Sequence, residues 1–130
     1  MTQFVDITEV YEIHRRIIER AKTKGGVRDF ALLHSAVERP KASFMGRFLY
    51  PTLFAKAAAL LQSICMNHAF TDGNKRTAWG ATKRFLWINK YHLQSNPNEA
   101  ADFMVHVDND QPDIKEIEKW LRHHAEKLKI

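Results

Sequence analysis

From Leu53 to Met66 the chain reads Leu-Phe-Ala-Lys-Ala-Ala-Ala-Leu-Leu-Gln-Ser-Ile-Cys-Met. As a helix this stretch is apolar on nearly every side, so it has to be surrounded by other elements rather than lie on a surface. A membrane could surround it only if the apolar run approached about 20 residues, and Lys56 and Gln62 interrupt it well short of that. The remaining solution is a soluble bundle with this helix at its centre, and Pro51 suits its first helical position.

The flanking sequence has the matching periodicity. Asp6 with Glu9 forms a capping-box pair, and Ile7, Val10, Ile13, Ile17 and Ala21 then mark one face of a helix that Gly25-Gly26 ends. A second, short helix runs from about Asp29, burying Leu32, Leu33, Ala36 and Val37, until Pro40 stops it. Lys41 to Tyr50 mixes Phe44, Phe48 and Tyr50 with basic residues and lacks a helical period, so it reads as an exposed loop or a short hairpin. Asn74 to Ile88 is helical, with Ala78, Ala81, Phe85 and Leu86 inward, and Tyr91-His92-Leu93 is an extended link. Asn96-Pro97-Asn98-Glu99 caps another helix through Val107, and a last one begins near Pro112 with Ile114, Ile117, Leu121, Ala125 and Leu128 inward. No repeat or linker divides the chain. The expectation is an all-α fold, one domain over residues 1–130 with about six helices.

Cys65 is the only cysteine, which excludes an intramolecular disulfide and suits a reducing cytoplasm. Its apolar neighbours make it a buried packing residue. The N-terminal residues show no cationic start followed by an apolar stretch, so no signal peptide is expected. Twenty Lys and Arg against fifteen Asp and Glu leave a net charge of +5, which favours anionic partners without naming one.

Chemistry concentrates in His68-Ala-Phe-Thr-Asp-Gly-Asn-Lys-Arg-Thr-Ala78. The order is helix, histidine, an Asp72-Gly73-Asn74 turn, then a new helix opened by Lys75 and Arg76. A helix N-terminus offers unpaired N–H groups and the positive end of the dipole to an anion. Gly73 permits a positive φ and a close backbone approach to phosphate. Asp72 supplies the hard oxygen that Mg²⁺ accepts. Asn74 caps the helix or donates to a phosphate oxygen, and Lys75 and Arg76 offset phosphate charge. His68 is able to take a proton from an attacking hydroxyl. Phe70 is expected to turn into the core. Asp-Gly is also a common hairpin turn, but both flanks here have a helical period.

These residues resemble the Fic/Doc signature H-x-F-x-[D/E]-G-N-(G/K)-R, and in particular the Doc (death-on-curing) toxin branch, whose motif ends N-K-R-T-A. Gly25-Gly26-Val27-Arg28-Asp29 and Leu33-His34-Ser35-Ala36-Val37-Glu38-Arg39-Pro40 are similar to the N-terminal block of Doc-like proteins. The resemblance implies His68 as general base, Asp72 as the Mg²⁺ ligand, and Gly73, Asn74, Lys75 and Arg76 as the nucleotide-phosphate site, with Lys75 and Arg76 also catalytic. Most Fic enzymes transfer AMP to a protein hydroxyl. Here Lys75 stands where a glycine would leave room for phosphate, and Trp79 stands where a second arginine would grip the nucleotide. The resemblance to the Doc branch therefore implies ATP as co-substrate, transfer of its γ-phosphate to Ser or Thr, and translation elongation factor Tu as target, so that translation stops. It implies a cognate antitoxin as partner, no membrane association and no direct nucleic-acid binding. Lys41 to Tyr50 takes the place of a flap that clamps target backbone. Two segments approach the Fic inhibitory pattern [S/T]-x-x-x-E-[G/N], Thr8 to Glu12 and Ser95 to Glu99, but Ile13 and Ala100 follow them, so no internal brake is expected.

Two other classes compete. Arg28 and His34 satisfy the R-x(4–6)-H spacing of HEPN-type ribonuclease toxins, and positive charge would suit RNA. A non-catalytic binding module that kept the loop is the other. The seven histidines, His14, His34, His68, His92, His106, His123 and His124, show no metal-ligand spacing such as H-x-x-x-H.

Overall fold

The computed structural model describes residues 1–129. Its centre is helix α3 (Leu53–Asn67), in which Ala57 to Leu61, Ile64 and Cys65 are all but inaccessible to solvent. Around it pack α1 (Ile7–Ala21), α2 (Phe30–Glu38), α4 (Asn74–Ile88), α5 (Pro97–Asp110) and α6 (Ile114–His124). Five helices around one buried helix is the all-α architecture that the apolar run requires. Five of the six start on a side-chain cap, from Asp6, Asp29, Thr52, Asn96 and Asp113. The capping box of Asp6 and Glu9 is present.

Several boundaries differ from the sequence expectation. Helix α1 ends on Lys22 in the left-handed region, ahead of the glycine pair. Thr52 caps α3, so Pro51 lies outside the helix rather than at its first position. Leu32 is exposed, because the short α2 buries only Leu33, Ala36 and Val37. The largest departure is at the end. Helix α6 stops at His124, and β4 (Ala125–Lys127) pairs antiparallel with β3 (Tyr91–Leu93). Ala125 and Leu128 therefore do not extend the inward helical stripe: Ala125 is in the strand, and the Leu128 N–H donates to the Lys90 carbonyl. The pairing satisfies backbone groups that an isolated extended link would leave to water.

Lys41 to Tyr50 is a hairpin. Strands β1 (Ser43–Phe44) and β2 (Arg47–Phe48) pair across Met45-Gly46, both at positive φ. That is the two-residue turn whose twist matches antiparallel strands. Phe44, Met45 and Phe48 are exposed. The hairpin is tied to α3 from beneath, since buried Lys56 donates to the Tyr50 and Pro51 carbonyls and lies 4.1 Å from the centre of the Phe48 ring. Arg39 adds hydrogen bonds to the Tyr50 hydroxyl, Gln62 and Ser63. No helix among the described residues is long and apolar enough to cross a membrane.

Candidate active site

His68 ends α3, with φ 51° in the left-handed region, and its ring stands 52% exposed over the following loop. The loop then turns down. Phe70 is buried, as its spacing suggested, and stacks on His14 of α1 at 3.7 Å between ring centres. A second segment braces it. Arg28 and Asp29 N–H groups donate to the Ala69 carbonyl, Thr71 N–H donates to Gly26, and Val27 and Phe70 form a lone bridge. The Arg28 guanidinium donates to the His68 carbonyl, which ties it to the loop. His34 stacks near Phe30.

The turn delivers the chain into α4. Gly73 is the N-cap at φ 78°, with no side-chain capping bond. A Cβ there would add the strain of positive φ and sit 3.2 Å from Ile18 Cδ1. Asn74 does not cap the helix. Its side-chain oxygen accepts from the Phe70 N–H and its amide donates to the Phe70 carbonyl, so it closes the loop on itself. The consequence is useful. The first-turn N–H groups of α4 remain open to an anion, with the helix dipole behind them.

An open cleft of about 610 Å³ lies in front of that helix end, lined by His68, Asp72, Gly73, Asn74, Lys75 and Arg76, with Ile17, Ile18 and Ala21 of α1 as the opposite wall. All six residues singled out from the sequence thus meet in one place. Ile17 and Ala21 form part of the cleft rather than core. Asp72 Oδ1 accepts the Gly73 N–H at 2.8 Å, and Oδ2 has no hydrogen-bond partner among the described residues. No group of three or more His, Cys, Asp or Glu able to hold a metal occurs among the described residues. A Mg²⁺ at Asp72 would therefore take its other oxygens from phosphate and water, as that ion commonly does. Arg76 is exposed at the cleft and forms no ion pair among the described residues.

The stretch from α1 to α4, including loop and cleft, coincides with residues 4–86, over which the chain matches the Fic/DOC family. The chain belongs to the Fic/DOC family. A relative is Toxin Doc of Mycolicibacterium smegmatis, 56% identical over 79 residues, which is 61% of this chain and 56% of that protein. This Fic/DOC chain thus aligns with little more than half the length of that relative.

Two residues of the site, Asp108 and His14, were not among those the sequence pointed to. Asp108, on α5, places Oδ2 3.5 Å from Lys75 Nζ and Oδ1 3.8 Å from His68 Nε2. His14 is buried between Thr77 and Gly26. Its Nε2 lies 3.2 Å from the Gly26 N–H, so it acts as acceptor, and Nδ1, 3.1 Å from Thr77 Oγ1, carries the proton. Burial lowers its pKa, against a smaller upward pull from Asp72. Helical spacing already places His14 on the apolar face of α1, four residues after Val10 and three before Ile17, where it is buried, and that spacing is the signal that could have found it. Cys65 is buried as expected. Burial and the Asp108 carboxylate push its thiol up to about 11, Lys75 acting the other way, so it stays protonated and inert. Trp79 meets Trp120 edge-on at 5.9 Å, a packing contact.

Proposed function

We propose that this chain is a protein-modifying transferase that passes the γ-phosphate of ATP to a Ser or Thr hydroxyl of a protein target. The observation that carries the reading is Lys75. It occupies the second position of α4, at the rim of the cleft, where a long cation limits the room for a phosphate nested against the helix end and offers a point charge to an outer phosphate. In this reading His68 takes the proton of the target hydroxyl, which attacks the γ-phosphorus in line while the bond to the β-γ bridging oxygen breaks and ADP leaves. Asp72 would hold Mg²⁺, and Arg76 with the open α4 amides would offset charge on the phosphates. Phosphoryl transfer needs alignment and charge stabilisation above all, and these groups offer both.

The biological setting we propose is that of a toxin restrained by a cognate antitoxin, with elongation factor Tu as target. It is supported by the Doc-branch signature and by the likeness to a protein named Toxin Doc. The two segments approaching the inhibitory pattern are consistent with restraint from outside: Glu12 is paired with Arg15 and Arg16, and Glu99 with His124. A net charge of +5 suits an acidic partner.

AMP transfer is the second reading, favoured by the family at large. Incubation with elongation factor Tu and ATP labelled at the α- or γ-phosphate separates the two. We expect γ-label on the target. Label from the α-phosphate would instead establish AMP transfer, and absence of both would leave a binding module.

The exposed hairpin edge is proposed to hold the target backbone as an added strand. Replacing both Phe44 and Phe48 by Ala should raise KM for the protein target by about tenfold, equivalent to about 1.4 kcal/mol, because two exposed aromatic contacts are lost. The affinity for MgATP, measured by calorimetry, should not change. A parallel loss of nucleotide binding would contradict the clamp.

A further inference from the structure

Lys75 and His68 come from different helix ends, yet one carboxylate faces both. Asp108 stands near the C-terminal end of α5, 33 residues beyond Lys75, and is only 24% exposed where His68 and Lys75 are 52% and 47% exposed. Its two oxygens are divided between them, Oδ2 toward Lys75 Nζ and Oδ1 toward His68 Nε2. Three elements thus converge on one anion: the end of α3, the start of α4 and the last turns of α5. We propose that Asp108 is a positioning residue for transfer, orienting His68 as the proton acceptor and restraining Lys75 until nucleotide arrives.

The proposal rests on the transfer reaction proposed above, and its logic is a competition for charge. With no phosphate in the cleft, Asp108 is the anion nearest Lys75, so the ammonium is tethered at the rim. A nucleotide phosphate competes for that ammonium. As Lys75 turns toward phosphate, the carboxylate is left facing His68 alone. His68 becomes positive when it accepts the target's proton, and a neighbouring carboxylate offsets that charge at the moment it develops. The 3.8 Å separation is longer than a hydrogen bond, so the interaction is a charge contact that tightens once Lys75 is released. Two effects of opposite sign follow from one group. Asp108 weakens nucleotide binding by competing for Lys75, and speeds transfer by supporting His68. A residue that merely held α5 in place would weaken both together.

Asp108→Asn keeps the size of the side chain and removes the charge, and Asp108→Glu keeps the charge. We expect Asp108→Asn to bind MgATP several-fold more tightly by calorimetry while its single-turnover transfer rate falls at least tenfold. Asp108→Glu should recover most of the rate. The ring ¹⁵N signals of His68 should move in Asp108→Asn and return toward their native positions in Asp108→Glu, with circular dichroism unchanged throughout. A wild-type rate in Asp108→Asn, or equal losses in rate and MgATP affinity, would overturn the proposal. So would unmoved His68 signals, whether or not the native protein transfers label. Moved signals in a native protein that transfers no label from ATP would uphold the Asp108–His68 coupling while removing the transfer reading itself.

Discussion

His68→Ala is expected to abolish phosphate transfer to the protein target while leaving the fold and MgATP binding intact. The ring is half exposed at the end of α3, and the anchoring of its loop is done by Phe70, Asn74 and the 26–29 segment. Truncation therefore removes little packing. It does remove the only imidazole that lines the cleft among the described residues, and a positioned general base contributes about 10²–10⁴ in rate. Transfer of γ-label by His68→Ala, followed over hours against native protein, should drop by at least two orders of magnitude. The thermal midpoint should move by no more than a few degrees. Transfer at the native rate would sink the role of His68, and with it the proton step.

A second large effect concerns acid. His14 is buried, its Nδ1–H and its Nε2 lone pair are both engaged, and burial depresses its pKa. An unfolded chain has no such constraint, and its His14 takes up a proton near pH 6.5. The sign follows directly. Above that pH both states hold neutral His14 and its contribution is fully present. As pH falls, the unfolded state binds the proton first, and stability is lost until His14 in the folded protein also protonates. The loss reaches at most about 1.4 kcal/mol per pH unit, so the window opens near pH 6.5 and extends downward. Protonation would also break the Nε2 bond to Gly26, next to the segment that braces the loop after His68. His106 acts in the opposite direction. Glu116 and then Asp110 raise its pKa by hydrogen bonding, so its stabilisation is present below pH 6.5 and fades as pH rises through its folded value. That group is exposed, and its effect is correspondingly weakened by water and salt. Thermal unfolding between pH 7 and pH 5 should show a falling midpoint in the native protein. His14→Gln should start lower but fall less steeply. Equal slopes in the two proteins would rule out His14 as the acid-sensitive group.

The parts legible in the sequence were local ones. The capping box of Asp6 and Glu9, the caps at Asp29 and Asn96, and the extent of α4 are each written within a few residues, because caps and helical periodicity act over one or two turns. The loop from His68 to Ala78 was legible for the same reason: eleven consecutive residues hold the histidine, the carboxylate, the glycine and both cations. What misled the reading was local propensity that tertiary contacts overrode. The periodic run through Ala125 and Leu128 continues a helical pattern, yet the backbone there pairs with Tyr91–Leu93, more than thirty residues earlier. Asn74 has the composition of a cap but braces Phe70 instead.

The chain order alone was therefore enough to set a buried α3, a largely helical surround and a helix whose open N-terminus begins at Gly73. It could not assign the partners of that helix end. His14 joins Thr77 across 63 residues, and Asp108 reaches Lys75 across 33. Neither pairing has a spacing rule, because each depends on how helices cross in space rather than on the turn of any one helix. The tertiary structure decided which histidine is buried, which is exposed and near a carboxylate, and that the carboxylate beside Lys75 is Asp108.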